Sequence, residues 1–543
     1  MKERAVDAVT LEVARGALSG ISEEMQAALV RSSYSPNIKE RRDCSCALFD
    51  AQGRMMAQSE SIPVHLGSMP FSVAAALEKF PKPAPGDTIV LNDPFHGGAH
   101  LPDITFVTPI YLERRLIGFA ANRAHHADVG GMTPGSVSGS ATEIYQEGLR
   151  IFPVRLWRKG KVDPDLLDLI LANVRTPKER LGDLRAQLAA NAVGGKRLVE
   201  LVRGHGISSF ARIVDALLDY SERRMRDGLK KLPKGTYRFE DFLDDDGKGN
   251  AHLPIRAAVT LKGDRITVDF SGSAPQAQGP INAVYAVTAS ATYYAVRCFT
   301  DPDIPANEGC YRPVKLIAPQ GTIVNALSPA PVVGGNLETS QRIVDVLLGA
   351  LAQLDPNKAL AACQGTMNNL TLGGMNPRTG TPYTIYETMG GGFGARLGLD
   401  GLDGVHCHMS NTLNTPIEAL ESVYPLRVER YELRPGTGGN GKYRGGLGLR
   451  RDLRVVGHQA TLSLITDRRE GRPYGLCGGE PGARGENILI HDGKEQRLPA
   501  KCVMTVEPED VISIRTPGGG GYGDPRERPP ALKSRDRQEE KAG

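Results

Sequence analysis

The chain opens on an amphipathic stripe. From Val9 to Arg31 the apolar residues Leu11, Ala14, Leu18, Ile21, Met25 and Ala28 recur at spacings of three and four, which predicts a helix with one buried face. The period then shortens to two. CSCALFDAQGRMMAQ reads as two short strands around a turn at Asp50 to Gly53, because apolar positions alternate on either side of the turn residues. From Asp87 to Leu112 a strand-like run, DTIVLND, leads into the loop PFHGGAHLPD and a second apolar run, ITFVTPIYL. A loop held between two strands is a common place for a site. Helical periods return between Pro164 and Leu232, in Leu166, Leu167, Ile170, Val174, Leu181 and Leu188 among others; the charged run ERRMRDGLKK reads there as a solvated helix face. After Tyr237 the pattern is strand-like again, with a hairpin turn at GD in VTLKGDRITVDF. The stretch from Val428 to Pro525 is dense in glycine and broken by ATLSLIT and VISIRT, a β-domain whose turns glycine supplies. From Arg526 the residues are charged and aperiodic, as in a disordered tail.

These elements predict an α+β, multidomain chain. The expected division is a metal-bearing α/β region over residues 1–160, a helical subdomain over 161–235, a mixed α/β region over 236–427, a Gly-rich β-domain over 428–525 and a tail over 526–543. At 543 residues the chain is too long for one ordinary core. Apolar residues at 40%, charged residues at 24% and a formal charge of +4 describe a soluble globular protein. So small a charge excludes an extended phosphate-binding surface, and nucleic acid is not an expected partner. The opening MKERAVDAVTLEV lacks the continuous apolar core of a signal peptide. No window approaches the roughly 18 apolar residues of a membrane span. The eight cysteines are scattered and form no CxxC pair, which points to a reduced, cytoplasmic protein.

Candidate chemistry concentrates in one place. His96, His100, Asp103, His125, His126 and Asp128 fall within 33 residues of a chain holding 11 histidines. The step from His100 to Asp103 crosses Pro102, so it lies on extended or turn backbone, where both side chains can converge on one point. Imidazole with carboxylate suits Mn²⁺, Fe²⁺ or Zn²⁺ and leaves coordination positions open. A single histidine is better read as capping a strand; the cluster favours a metal. H-x-x-D alone arises often by chance. Cys44 and Cys46 face one side of an alternating strand and read as small core residues. Ser136, Ser138 and Ser140, beside Glu143 and Glu147, read equally as a polar loop or as a substrate-lining loop. The glycine-rich GGGFGARLGLDG and PGGGGYGD do not fit G-x-x-x-x-G-K-[ST], so no nucleotide site is indicated.

The strings ERRDCSCALFD, IPVHLGSMP, LNDPFHGGAHLPD and AHHADVGG, in this order and spacing, closely resemble the hydantoinase B family. That family takes in the matching part of 5-oxoprolinase, the caprolactamases and the α-subunits of acetone carboxylases. The likeness continues through NVRTPKERLGDLRAQLAAN, GPINA, GGNLETSQR and PGGGGYGDP, and so covers nearly the whole chain. The resemblance implies a divalent metal (Zn, Mn or Fe) bound by His100, Asp103 and His125, with Asp43 as a further ligand. It makes His126 and Asp128 residues that orient ligands or act as general base, with His65 and His96 lining the site. It also implies that ATP is bound by a partner, a hydantoinase A-like subunit, in a heterotetramer or larger assembly. The implied reaction is hydrolysis of a hydantoin, 5-oxoproline or another lactam by metal-activated water, after the partner phosphorylates the amide oxygen. Two other readings stand beside it, an ATP-dependent ketone carboxylase and a non-catalytic subunit with a structural metal.

Overall fold

The predicted N-terminal helix runs Ala8–Ser32, in a computed structural model that describes residues 6–59 and 61–542. The charged opening residues 1–5 lie outside the described residues. Asp7 caps the helix, its carboxylate accepting from the amides of Val9 and Thr10. Ala14, Leu18, Ile21, Met25 and Leu29 form the buried face, which packs on the helix Pro177–His205. There Gly194 makes room for Met25, because a Cβ would sit 2.3 Å from its sulfur.

Behind these helices stands a seven-stranded antiparallel sheet in the order Met55–Gln58, Cys44–Asp50, Arg115–His125, Asp103–Leu112, Thr88–Leu91, Val154–Arg158 and Lys161–Val162. One face joins the helical core through Cys44, Cys46, Ile110 and Ala124. The other, with Val107, Phe119 and Ala121, packs on Met69 and Val73 of the helix Met69–Lys79. Because both faces are covered, the central strands are almost wholly buried. The register makes Asp103 the cross-strand partner of His125 and Cys44 that of Ala124.

The helices expected over 161–235 are present as Pro164–Ala172, Pro177–His205 and Ile207–Lys230. They do not stand apart: Ala186, Ala190, Leu198 and Val202 share one core with Leu18 and Met25. Further along the chain come two four-stranded sheets and one five-stranded sheet. The helix Ser340–Ala352, all thirteen of whose residues are buried, packs on the strands Gly235–Asp245 and Ala251–Lys262. It is entered through a π-turn at Gly335–Thr339, a local widening that often marks functional sites.

The glycine-rich strings pack backbone against backbone. A Cβ on Gly446 would lie 1.9 Å from the carbonyl oxygen of Leu402, and one on Gly519 would lie 2.2 Å from that of Phe393. These glycines serve close approach of chain to chain. The segment after Pro525, expected as a disordered tail, instead forms a 3-10 turn and the helix Pro530–Gln538. The expectation weighed charge without its partners: Arg528 is buried between Asp400 and Asp536, at 2.8 and 2.7 Å. Among the described residues no helix is long and apolar enough to cross a membrane.

Candidate metal centre

Three elements bring the predicted ligands together. His100 leaves the loop after the short 3-10 turn Pro94–His96, Asp103 opens its strand, and His125 ends the neighbouring one. Antiparallel pairing sets Asp103 opposite His125, and the turn at Leu101 and Pro102 folds His100 back over them. His100 Nε2 lies 3.0 Å and His125 Nδ1 3.3 Å from Asp103 Oδ1, and the two nitrogens are 3.2 Å apart. All three side chains are buried. Their donor atoms fall within 4.8 Å of one another, a spacing that could hold one cation. His65 completes the surround, with Nε2 3.2 Å from Asp103 Oδ2 and Nδ1 3.2 Å from Ser45 Oγ.

The chemistry of this donor set fits a divalent metal. The histidine nitrogens are close to Asp103, yet among the described residues neither carboxylate oxygen receives a well-angled hydrogen bond and His125 Nε2 has no partner. Buried polar atoms are ordinarily satisfied; a buried carboxylate left without a hydrogen bond among imidazoles is a donor set fitted to a cation. Burial pushes the Asp103 carboxyl up, but His100, His65 and His125 outweigh it and hold it well below the usual carboxylate range. Burial also lowers the His125 pKa against the pull of Asp103. An ionised carboxylate beside a neutral imidazole is the protonation state a cation requires. His100 Nδ1 lies 3.4 Å from the carbonyl of Val333. A carbonyl can only accept, so Nδ1 carries the hydrogen in this contact, which leaves Nε2, on the side facing Asp103, as the nitrogen that would take a cation.

Several surrounding residues were not assigned to the metal centre by sequence reasoning. The Tyr386 ring stacks on His125 at 4.3 Å and 15°, and the Arg41 guanidinium lies 5.0 Å from the Tyr386 ring centroid. Glu147 Oε1 accepts from the amide of Val333, holding the segment whose carbonyl faces His100. Burial pushes the Glu147 carboxyl up to about 8. Asn336 and Leu337, from the π-turn, line a small cavity beside His125 together with Tyr386 and Met409. The string GGNLETSQR and the place of Glu147 beside the serine loop were the only signals pointing to any of these. Side chains separated by hundreds of residues carry no local pattern.

Other expected residues lie elsewhere. Asp43 lines the same small cavity and its carbonyl accepts from the His125 amide at 3.0 Å, but its carboxylate is not among the converging donors. His126, one residue on from His125, points away to Gln187 Oε1 at 2.9 Å, since successive side chains on extended backbone face opposite sides. Asp128 accepts from the amides of Gly130, Gly135 and Arg175 and pairs with the Arg175 guanidinium at 2.9 Å. Its oxygens are occupied in tying a loop together. His96 is half-exposed and pairs with Asp93 at 2.8 Å. Cys44 and Cys46 are buried core residues. Ser136 bonds the backbone at Val129 and Gly130, and Ser138 lies 3.3 Å from Ser140.

Comparison with known proteins agrees with this architecture. An uncharacterized protein of Methanocaldococcus jannaschii is 44% identical over 99% of this chain and 94% of its own. The B-type subunit of a putative D-/L-hydantoinase from a Pseudomonas species is 35% identical over 97% and 91%. The 5-oxoprolinase 1 of Arabidopsis thaliana is 37% identical over 96% of this chain, which spans only 42% of that longer protein. Among solved structures, the ATP-dependent caprolactamase from Pseudomonas jessenii superposes with a TM-score of 0.93 at 32% identity, covering 99% of this chain and 95% of that one. An acetone carboxylase shares the fold at 21% identity and a TM-score of 0.90, over 99% and 78%. The family description hydantoinase B/oxoprolinase matches residues 7–525, and the chain belongs to that family.

Proposed function

We propose that this chain is the metal-bearing subunit of an ATP-dependent cyclic amide hydrolase, with His100, Asp103 and His125 as its metal ligands. The observation that carries the reading is the buried cluster of three donors gathered within 4.8 Å, in which neither Asp103 oxygen takes a hydrogen bond among the described residues. A divalent cation there supplies Lewis acidity that polarises water or a carbonyl. The remaining work falls to the chain's own residues. Val333 fixes the His100 tautomer, Tyr386 holds the His125 ring flat, and His65 and Ser45 keep the second Asp103 oxygen in place. Ile62, Met367 and Met409 line the adjoining cavity with apolar surface that keeps bulk water out. With their contacts taken up by Gln187 and by a loop, His126 and Asp128 act as supports of the site in this reading.

An unstrained lactam resists hydrolysis because amide resonance must be lost, so phosphorylation of its oxygen by a partner makes the carbonyl carbon electrophilic. The substrate is a hydantoin, 5-oxoproline or another lactam, and the partner is a hydantoinase A-like subunit that binds ATP. Support comes from the caprolactamase likeness across both chains and from the relative named as one subunit of a hydantoinase. The 5-oxoprolinase relative carries more than half its length outside the matched region, room for such a partner function. The carboxylase likeness, at 21% identity, speaks for the fold only. The test is co-expression with the partner and a screen of hydantoins, 5-oxoproline and caprolactam for ATP-dependent ring opening, with His125→Ala as control. Turnover of acetone with bicarbonate in place of ring opening refutes the reading.

A further inference from the structure

A cavity of about 690 Å³ is separate from the metal cluster but shares a wall with it. Ser61, Pro63 and Asn411 face this chamber, while their neighbours Ile62, Val64, Ser410 and Thr412 face the small cavity beside His125. Two backbone segments form this wall, and Asn411 Nδ2 ties them together by donating to the Ser61 carbonyl at 3.2 Å.

The charges lining the chamber do not cancel. Arg15 pairs with Glu12, and Arg224 pairs with Asp301. Arg297 projects from the helix Tyr285–Thr300 and donates only to backbone, to the carbonyls of Ile304 at 3.0 Å and Pro302 at 3.1 Å. Among the described residues it has no carboxylate partner. Asp303 also lines the cavity but is exposed to solvent, which screens it. The half-buried Arg297 therefore leaves a net positive charge in a chamber that Tyr293, Tyr294 and Tyr311 also line.

We propose that this chamber binds a small molecule bearing an oxyanion, phosphoryl or carboxylate, through Arg297, and that it is the place from which the activated amide reaches the metal cluster. The second half rests on the reading of that cluster as the hydrolytic site. The first does not.

The chamber contains its own reporter. Cys298 is exposed in it, next to Arg297, and Cys477 is exposed elsewhere. The full chain, stripped of metal by a chelator, is alkylated with anionic iodoacetate or neutral iodoacetamide, and each cysteine is quantified by peptide mass spectrometry. The ratio of the two rates reads the local potential, since thiol ionisation affects both reagents alike. Arg297→Ala is expected to lower that ratio at Cys298 by about three- to tenfold, the scale of one charge several ångströms away, and to leave Cys477 unchanged. Arg297→Lys is expected to restore it. Inorganic phosphate or acetate should slow iodoacetate at Cys298 in the wild type but not in Arg297→Ala; the stronger protector identifies phosphoryl or carboxylate as the natural group. An unchanged ratio, or equal protection of both proteins, overturns the proposal. Because the experiment needs neither metal, partner nor turnover, its failure is distinct from failure of the hydrolase reading, which His125→Ala tests without touching the chamber.

Discussion

Glu147→Gln isolates a single buried proton. Glu147 is fully buried, with Oε1 accepting from Val333 and Oε2 without a partner among the described residues. Burial pushes its carboxyl from an ordinary 4.5 to about 8. The folded state therefore holds a proton that the unfolded chain releases above pH 4.5, and stability must fall as pH rises through the window from 4.5 to 8. Each pH unit inside the window contributes about 1.4 kcal/mol. Between pH 5.5 and 8 the wild type should lose about 3 kcal/mol more than the Gln variant, which keeps an acceptor for Val333 but has no proton to lose. Glu338 and Asp345 also titrate in this range but do so in both proteins, so the difference cancels them. The assay is urea unfolding at the two pH values, taken as a double difference. Parallel pH profiles would refute the argument. Loss of bound metal in the wild type, and not in Glu147→Gln, above pH 8 would link ionisation at Glu147 to the Val333 carbonyl that faces His100.

The remaining expectations are simpler. Asp103→Asn should leave the protein folded but unable to retain metal after dialysis, while His65→Ala should weaken retention by about 10- to 100-fold, as loss of a ligand-orienting group does; elemental mass spectrometry with a competing chelator reads both, and an Asp103→Asn protein that keeps its metal contradicts the ligand assignment. Asp128→Ala removes the acceptor of three backbone amides and should cost about 2–4 kcal/mol in denaturant unfolding with metal content unchanged; undisturbed stability with lost turnover would instead restore Asp128 as a chemical participant. Gly446→Ala should fold poorly or not at all, since its Cβ would meet a carbonyl at 1.9 Å, whereas Gly204→Ala, in a helix with open space around it, should gain up to about 1 kcal/mol.

Much of the fold was legible because its signals are local. The three-and-four stripe from Leu11 to Ala28 became the helix Ala8–Ser32, and the alternation around Asp50 became two antiparallel strands. Glycine density marked the C-terminal half as turn-rich, but only packing revealed that Gly446 and Gly519 are demanded by neighbouring carbonyls. The tail was misread for the same reason: the partners that order Arg528 are Asp400, 128 residues away, and Asp536.

The sequence by itself determined that His100, Asp103 and His125 could form a site, because residue type, a proline-bound turn and long family strings all sit within one short stretch. It did not separate His125 from His126, or Asp103 from Asp128, by any local property. That choice belonged to the tertiary structure. Antiparallel pairing turns His125 inward against Asp103 and sends His126 to Gln187, while the glycine loop consumes Asp128. Tyr386, Val333 and His65 arrive from three other parts of the chain, and the chamber around Arg297 is assembled from several separate segments. Periodicity reports what a residue does to its near neighbours along the chain. A site depends on distances through space, which folding alone sets.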